Sequence, residues 1–130
     1  MSKDENKKLT HGELRAILEK ELAAKIERPE CAQAKRVYKI AEEAKKTRQY
    51  LTVQLHYQFC NVELKRATGQ EDGLLWWKEM ECYLMDNQPE LAKGCYKRAV
   101  ELEPRLTDER MEALIAGAIW MEKEKKELLQ

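Results

Sequence analysis

Apolar residues recur every three or four positions along most of this chain, and the interruptions fall at residues that start or stop helices. Leu14, Ile17, Leu18, Leu22 and Ile26 follow Thr10 and Glu13, whose separation is that of a capping box. They predict a first helix that ends before Pro29, behind a polar, flexible tail over residues 1–9. A second helix is expected from about Glu30 to Lys46, with Ala34, Val37, Tyr38, Ala41 and Ala44 on one face. Gly69, Asp72 and Gly73 mark a loop in which Asp72 is the candidate N-cap of a helix over 72–86 carrying Leu75, Trp76, Met80 and Tyr83. Asn87-Gln88-Pro89 reads as a turn with proline opening the next helix, which runs to Leu102 before Pro104. Thr107 or Asp108 then caps a last helix through about Lys126.

The stretch from Tyr50 to Phe59 fits two periods. Leu51, Val53, Leu55, Tyr57 and Phe59 alternate with polar residues as in a strand. The same stretch also forms a helical stripe of Leu51, Leu55, Phe59 and Val62, with Tyr57, Cys60 and Leu64 beside it. No second strand-like segment exists to pair with, and a lone strand leaves its backbone groups unsatisfied. Helix is the reading taken; a strand paired between two copies is the exception.

Composition agrees with the periodicity. Ala, Leu, Glu, Lys, Arg, Gln and Met fill 85 of 130 positions, while Val, Ile and Thr fill 14, so strong helix formers dominate and an all-α fold is expected. Leu, Ile, Val and Phe total only 26, near the level at which chains become disordered, but a formal net charge of zero argues for a folded domain, taken as residues 10–130. The longest apolar run, Ala113 to Met121, is nine residues, well short of the ~20 that a membrane helix needs. With no signal sequence legible at the N-terminus, the four dispersed cysteines are expected to be reduced thiols and the protein cytoplasmic. The zero net charge conceals polarity. Residues 1–69 carry 15 basic and 10 acidic side chains, residues 70–130 carry 9 and 14. That points to a basic ligand at the acidic hairpin over 70–104 or to head-to-tail self-association.

Three segments share a pattern: Ala34 to Ala41, Cys60 to Ala67 and Ala92 to Ala99. Each has a small residue, a large apolar one four positions on, and alanine three further. Small residues let a neighbouring helix approach closely, so each segment is expected to be the second helix of a hairpin. Around the third copy, Trp76, Tyr83, Ala92, Tyr96, Ala99 and Pro104 fall in the register of a 34-residue repeat, and residues 73–106 resemble one tetratricopeptide repeat. Glu79 and Met80 depart from that pattern, standing where leucine and a small residue are usual. The resemblance implies helical hairpins in a short, irregular tetratricopeptide-like array. It implies that Trp76 wedges into the core and that Leu74, Trp77, Glu81 and Leu84 face a concave binding groove. Trp77 then either anchors a partner or packs on the preceding hairpin.

The last helix has two apolar stripes. Met111, Leu114, Ile115, Ala118 and Ile119 form a core stripe, and Ala113, Ala116, Gly117 and Trp120 form a second. A helix apolar nearly all round needs cover on two sides, supplied either by the N-terminal helices or by a partner subunit in a homodimer. The candidate chemistry is thin. His56 and Cys60 share a helix face that Cys82 or Cys95 could join, but no close cysteine pair, phosphate loop or triad spacing occurs, so no metal, cofactor or catalytic residue is expected. The resulting expectation is a non-enzymatic adaptor or chaperone-like module that binds a peptide or partner helix. The alternative is a nucleic-acid-associated protein using Lys35, Arg36, Lys39, Lys45, Lys46 and Arg48, although zero net charge argues against a general polyanion binder.

Overall fold

In the computed structural model, which describes residues 9–130, the chain forms six α-helices, with no strand among the described residues. The tail expected over residues 1–9 lies outside that range except for Leu9, which is exposed and precedes the first helix. The helices are α1 (His11–Ile26), α2 (Ala32–Lys45), α3 (Tyr50–Thr68), α4 (Gly73–Met85), α5 (Pro89–Leu102) and α6 (Glu109–Leu128). Short 3-10 turns over Pro29–Cys31 and Pro104–Leu106 precede α2 and α6.

The boundaries follow from the capping residues. Thr10 Oγ1 accepts from the Glu13 amide at 3.1 Å, and Glu13 Oε1 accepts from the Thr10 amide at 3.3 Å, so the capping box starts α1. α3 ends at Gly69, whose φ of 86° is the left-handed conformation glycine adopts without a Cβ clash. Asp72 Oδ1 accepts from the Leu74 amide at 2.8 Å and starts α4. Buried Asn61 fixes Asp72 in turn, accepting from its amide at 2.7 Å and donating to its carbonyl at 3.2 Å. Asp108, rather than Thr107, caps α6.

Residues 50–59 belong to a helix, as the missing strand partner required. The buried side of α3 is Val53, Tyr57, Cys60 and Leu64, whereas the stripe of Leu51, Leu55, Phe59 and Val62 points outward. The alternation of this segment offered two apolar faces, and only one meets α2 and α4.

α2 packs against α3 and α4 against α5 in the most extensive contacts of the molecule, with α3 and α4 joining the two hairpins. Ala34 and Ala41 therefore lie on the first helix of a hairpin, not the second. The α3 and α5 segments do lie on second helices, and Ala34, Ala41, Cys60, Ala92 and Ala99 are all fully buried where helices approach. The closest approach is at Gly73, where a Cβ would stand 2.9 Å from the Ala99 carbonyl oxygen and from Glu103 Cβ. A contiguous apolar core runs from Leu14 in α1 to Ile115 in α6.

Candidate functional site

α1 makes no extensive hairpin of its own. It lies against both α2 and α4 and buries Leu14, Leu18, Leu22 and Ile26, one residue per turn. Its polar flanks are pinned to the array. Arg15 donates from both terminal nitrogens to Glu81, at 3.0 and 3.2 Å, and Lys25 reaches Asp72 at 2.7 Å. His11 stacks on Trp77 with ring centroids 5.0 Å apart. Leu18 and Leu74 line one shallow cleft.

Three of the four residues expected to face an open groove, Leu74, Trp77 and Glu81, are thus met by the chain's own N-terminal helix. Trp77 is 1% exposed, held between His11 of α1 and Tyr96 of α5, whose ring is 6.0 Å away. Trp77 is therefore interior to the chain. Trp76, expected to wedge into the core, is half-buried against it, with its indole N–H donating to Glu71 at 3.3 Å. The signal for this arrangement was present in the strict four-residue spacing of Leu14, Leu18, Leu22 and Ile26, which is that of a helix lying in a groove.

Beneath α1 lies a polar cluster. Lys78 is 2% exposed, its ammonium 2.6 Å from Glu19 and 4.0 Å from Glu42 and centred 5.6 Å from the rings of both Tyr38 and Tyr57. Burial alone raises the Glu19 carboxyl, but Lys78 and Arg15 outweigh it and hold Glu19 below the ordinary range. Burial, reinforced by Glu42, pushes both tyrosine hydroxyls up, and each donates to Glu42. Glu79, also 2% exposed, takes the core position where the repeat pattern has leucine. Its Oε1 accepts from Gln54 at 2.7 Å, while Oε2 has no partner among the described residues. Burial pushes this carboxyl up to about 7 against the lowering effect of Gln54.

The fourth residue expected in the groove, Leu84, lies on an open cleft of about 480 Å³ formed by the end of α2, α3, α4 and Met111 of α6. Tyr50, Tyr57, Cys82, Leu84, Met85 and Met111 make its apolar lining. Lys45, Lys46 and Arg48 stand at its rim, on the end of α2 and the connection to α3. Lys46 pairs with Glu43 at 3.2 Å, whereas Lys45 and Arg48 make no ion pair among the described residues. The acidic hairpin that was expected to attract a basic ligand is instead neutralised in part from within: Glu81 by Arg15, Asp72 by Lys25 and Glu71 by Arg98 at 2.9 Å. The cleft at Leu84 also has Lys78 and Glu81 in its lining, and Glu81 is the carboxylate already paired with Arg15.

In the basic stretch 35–48, Lys35 pairs with Glu27 at 2.8 Å and Lys46 with Glu43 at 3.2 Å, whereas Arg36, Lys39, Lys45 and Arg48 make no ion pair among the described residues. His56 Nδ1 bonds the Thr52 carbonyl of its own helix, and the buried Cys60 thiol donates to the Ala34 carbonyl at 3.4 Å. No group of three or more histidine, cysteine, aspartate or glutamate side chains converges on a metal position among the described residues. Burial pushes the Cys60, Cys82 and Cys95 thiols up to about 12, away from nucleophilic thiolate character. No described helix is long and apolar enough to cross a membrane.

The second expected site lies on α6. Ala113, Ala116, Gly117 and Trp120 are all exposed, and neither the N-terminal helices nor any other described element covers them. Leu114, expected in the core stripe, is exposed too. Only Ile115 is fully buried, with Met111, Ala118 and Ile119 half-buried beside it. No protein-family model, curated protein or solved structure matches the chain.

Proposed function

We propose that this protein is a non-enzymatic protein-binding module, a tetratricopeptide-like adaptor, that takes an acidic, apolar segment of a partner into the cleft at Leu84. The observation that carries this reading is the pairing of an apolar floor, formed by Leu84, Met85 and Met111, with a rim of Lys45, Lys46 and Arg48. An apolar side chain on the floor gains burial while a neighbouring carboxylate meets the rim, and the two together specify more than either alone. The partner is expected to carry acidic residues. Of the acidic hairpin that the charge asymmetry offered to a basic ligand, Glu81 and Asp72 are already engaged by Arg15 and Lys25.

Selection of binders from a random peptide library on the immobilised full chain tests this. Recovered sequences should be enriched in Asp or Glu next to Leu, Phe or Met. Binding should fall at least about tenfold with Arg48→Glu combined with Lys45→Glu, and with Leu84→Glu. Peptides without acidic enrichment, or indifferent to all three substitutions, would refute the cleft as the site.

A further inference from the structure

The outer face of α6 carries Leu114, Gly117, Trp120 and Met121, with Trp120 62% exposed. Two charged residues close the face at its ends, Arg110 and Glu124, both exposed and neither in an ion pair among the described residues. Gly117 lies at the centre. A Cβ there would meet nothing within 4 Å, so nothing within the described fold requires a glycine. A mid-helix glycine costs about 1 kcal/mol relative to alanine.

We propose that α6 pairs antiparallel with α6 of a second copy of this chain, about a two-fold axis at Gly117. In that register residues equidistant from Gly117 come level with one another. Leu114 meets Trp120, Ala113 meets Met121, and Arg110 meets Glu124, each pair occurring twice by symmetry. The missing side chain at Gly117 lets the two helices approach at the crossing point, where the axis brings each glycine against its own copy. A parallel pairing places Arg110 against Arg110 and Glu124 against Glu124, so charge selects the antiparallel arrangement. A self-complementary face is what an isologous dimer requires, and this one is complementary in both shape-determining and charged positions.

Sedimentation equilibrium of the full chain over a dilution series tests the pairing. The expected result is a reversible dimer whose dissociation constant rises at least about tenfold with Arg110→Glu and with Glu124→Arg separately. An equimolar mixture of those two variants should associate as a one-to-one heterodimer, because each reversed charge then meets its complement on the other chain. Both positions are exposed, so circular dichroism should confirm unchanged helix content. Phe59→Glu, on the exposed stripe of α3, should leave the dimer intact. A chain that is monomeric throughout, a dimer indifferent to both reversals, or a dimer abolished by Phe59→Glu would each overturn the proposal.

Discussion

α1 and α6 are the two end helices of the same array, similar in length, and they meet opposite fates. α1 buries an apolar residue on every turn, from Leu14 to Ile26; α6 fully buries Ile115 alone. The difference lies in what each helix finds to pack on. α1 enters a concave face bounded by α2 and α4 and is pinned by ion pairs from Arg15, Glu19 and Lys25. α6 has α5 as its main neighbour, with Tyr96 holding its first turn by donating to Glu112 at 2.7 Å and accepting from the Asp108 amide at 2.8 Å. A periodic apolar stripe states that a face needs covering; the geometry of the neighbours decides whether the chain can cover it itself.

The two helices' tryptophan contacts give the largest test of this contrast. Trp77→Ala should cost about 3 to 5 kcal/mol, since it removes a fully buried ring from between α1 and α5. Trp120→Ala should change monomer stability by less than about 0.5 kcal/mol. Urea unfolding at low protein concentration measures both. Equal losses would mean that α6 is as firmly built into the monomer as α1.

Next in size is the polar anchor beneath α1. Glu19→Ala leaves the Lys78 ammonium buried with Glu42 as the remaining carboxylate, 4.0 Å away, and should cost about 3 kcal/mol, the lower end for breaking a buried pair because Glu19 is partly exposed. Lys78→Met, which removes the charge and keeps the bulk, should cost less. The ordering of the two variants in the same unfolding assay decides whether desolvation or simple loss of a contact governs the site.

Most of the fold was legible in the chain because caps and breakers are local. Thr10, Gly69, Asp72, Pro89 and Asp108 act on backbone groups within a few residues, and each bounds a helix close to where it was expected. Which face of a helix is buried is a non-local property. Leu51, Leu55, Phe59 and Val62 have the same periodicity as Val53, Tyr57, Cys60 and Leu64, and only the positions of α2 and α4 choose between them. The repeat resemblance drew attention to Leu74, Trp77, Glu81 and Leu84, but not to α1, whose Arg15 meets Glu81. Recognising α1 in the groove required Arg15 to be matched with Glu81 across 66 positions, which no local pattern encodes. The charge asymmetry between the two halves was the one available trace of such pairings.

Glu79 of α4 carries the test to pH, because it is buried between the hairpins with Gln54 of α3 as its hydrogen-bond donor. Its folded-state carboxyl lies near 7 and its unfolded counterpart near the ordinary value of about 4.5. Below the lower value both states are protonated and the site is neutral in its effect. As pH rises from there towards 7 the unfolded chain releases its proton while the folded one retains it, so stability falls, by on the order of 3 kcal/mol in total. Glu79→Gln removes that slope. The difference in unfolding free energy between variant and parent should grow in favour of the variant from pH 4.5 to 7 and then level off. A difference independent of pH would show that Glu79 stays solvated.

The smallest effects separate two glycines that the sequence presents alike. Gly73→Ala should destabilise by about 1 kcal/mol or more, since its Cβ would stand 2.9 Å from the Ala99 carbonyl oxygen, a backbone atom in α5 that cannot easily yield. Gly117→Ala meets nothing, and in dilute monomer should stabilise by up to about 1 kcal/mol through helix propensity alone. The same substitution places two methyl groups at the proposed α6 crossing and should weaken self-association even as the monomer gains stability. Opposite movements of unfolding free energy and dimer affinity in one variant would set Gly117 apart as a residue retained for contact with another chain. A gain in both would mean that α6 is bare for some other reason.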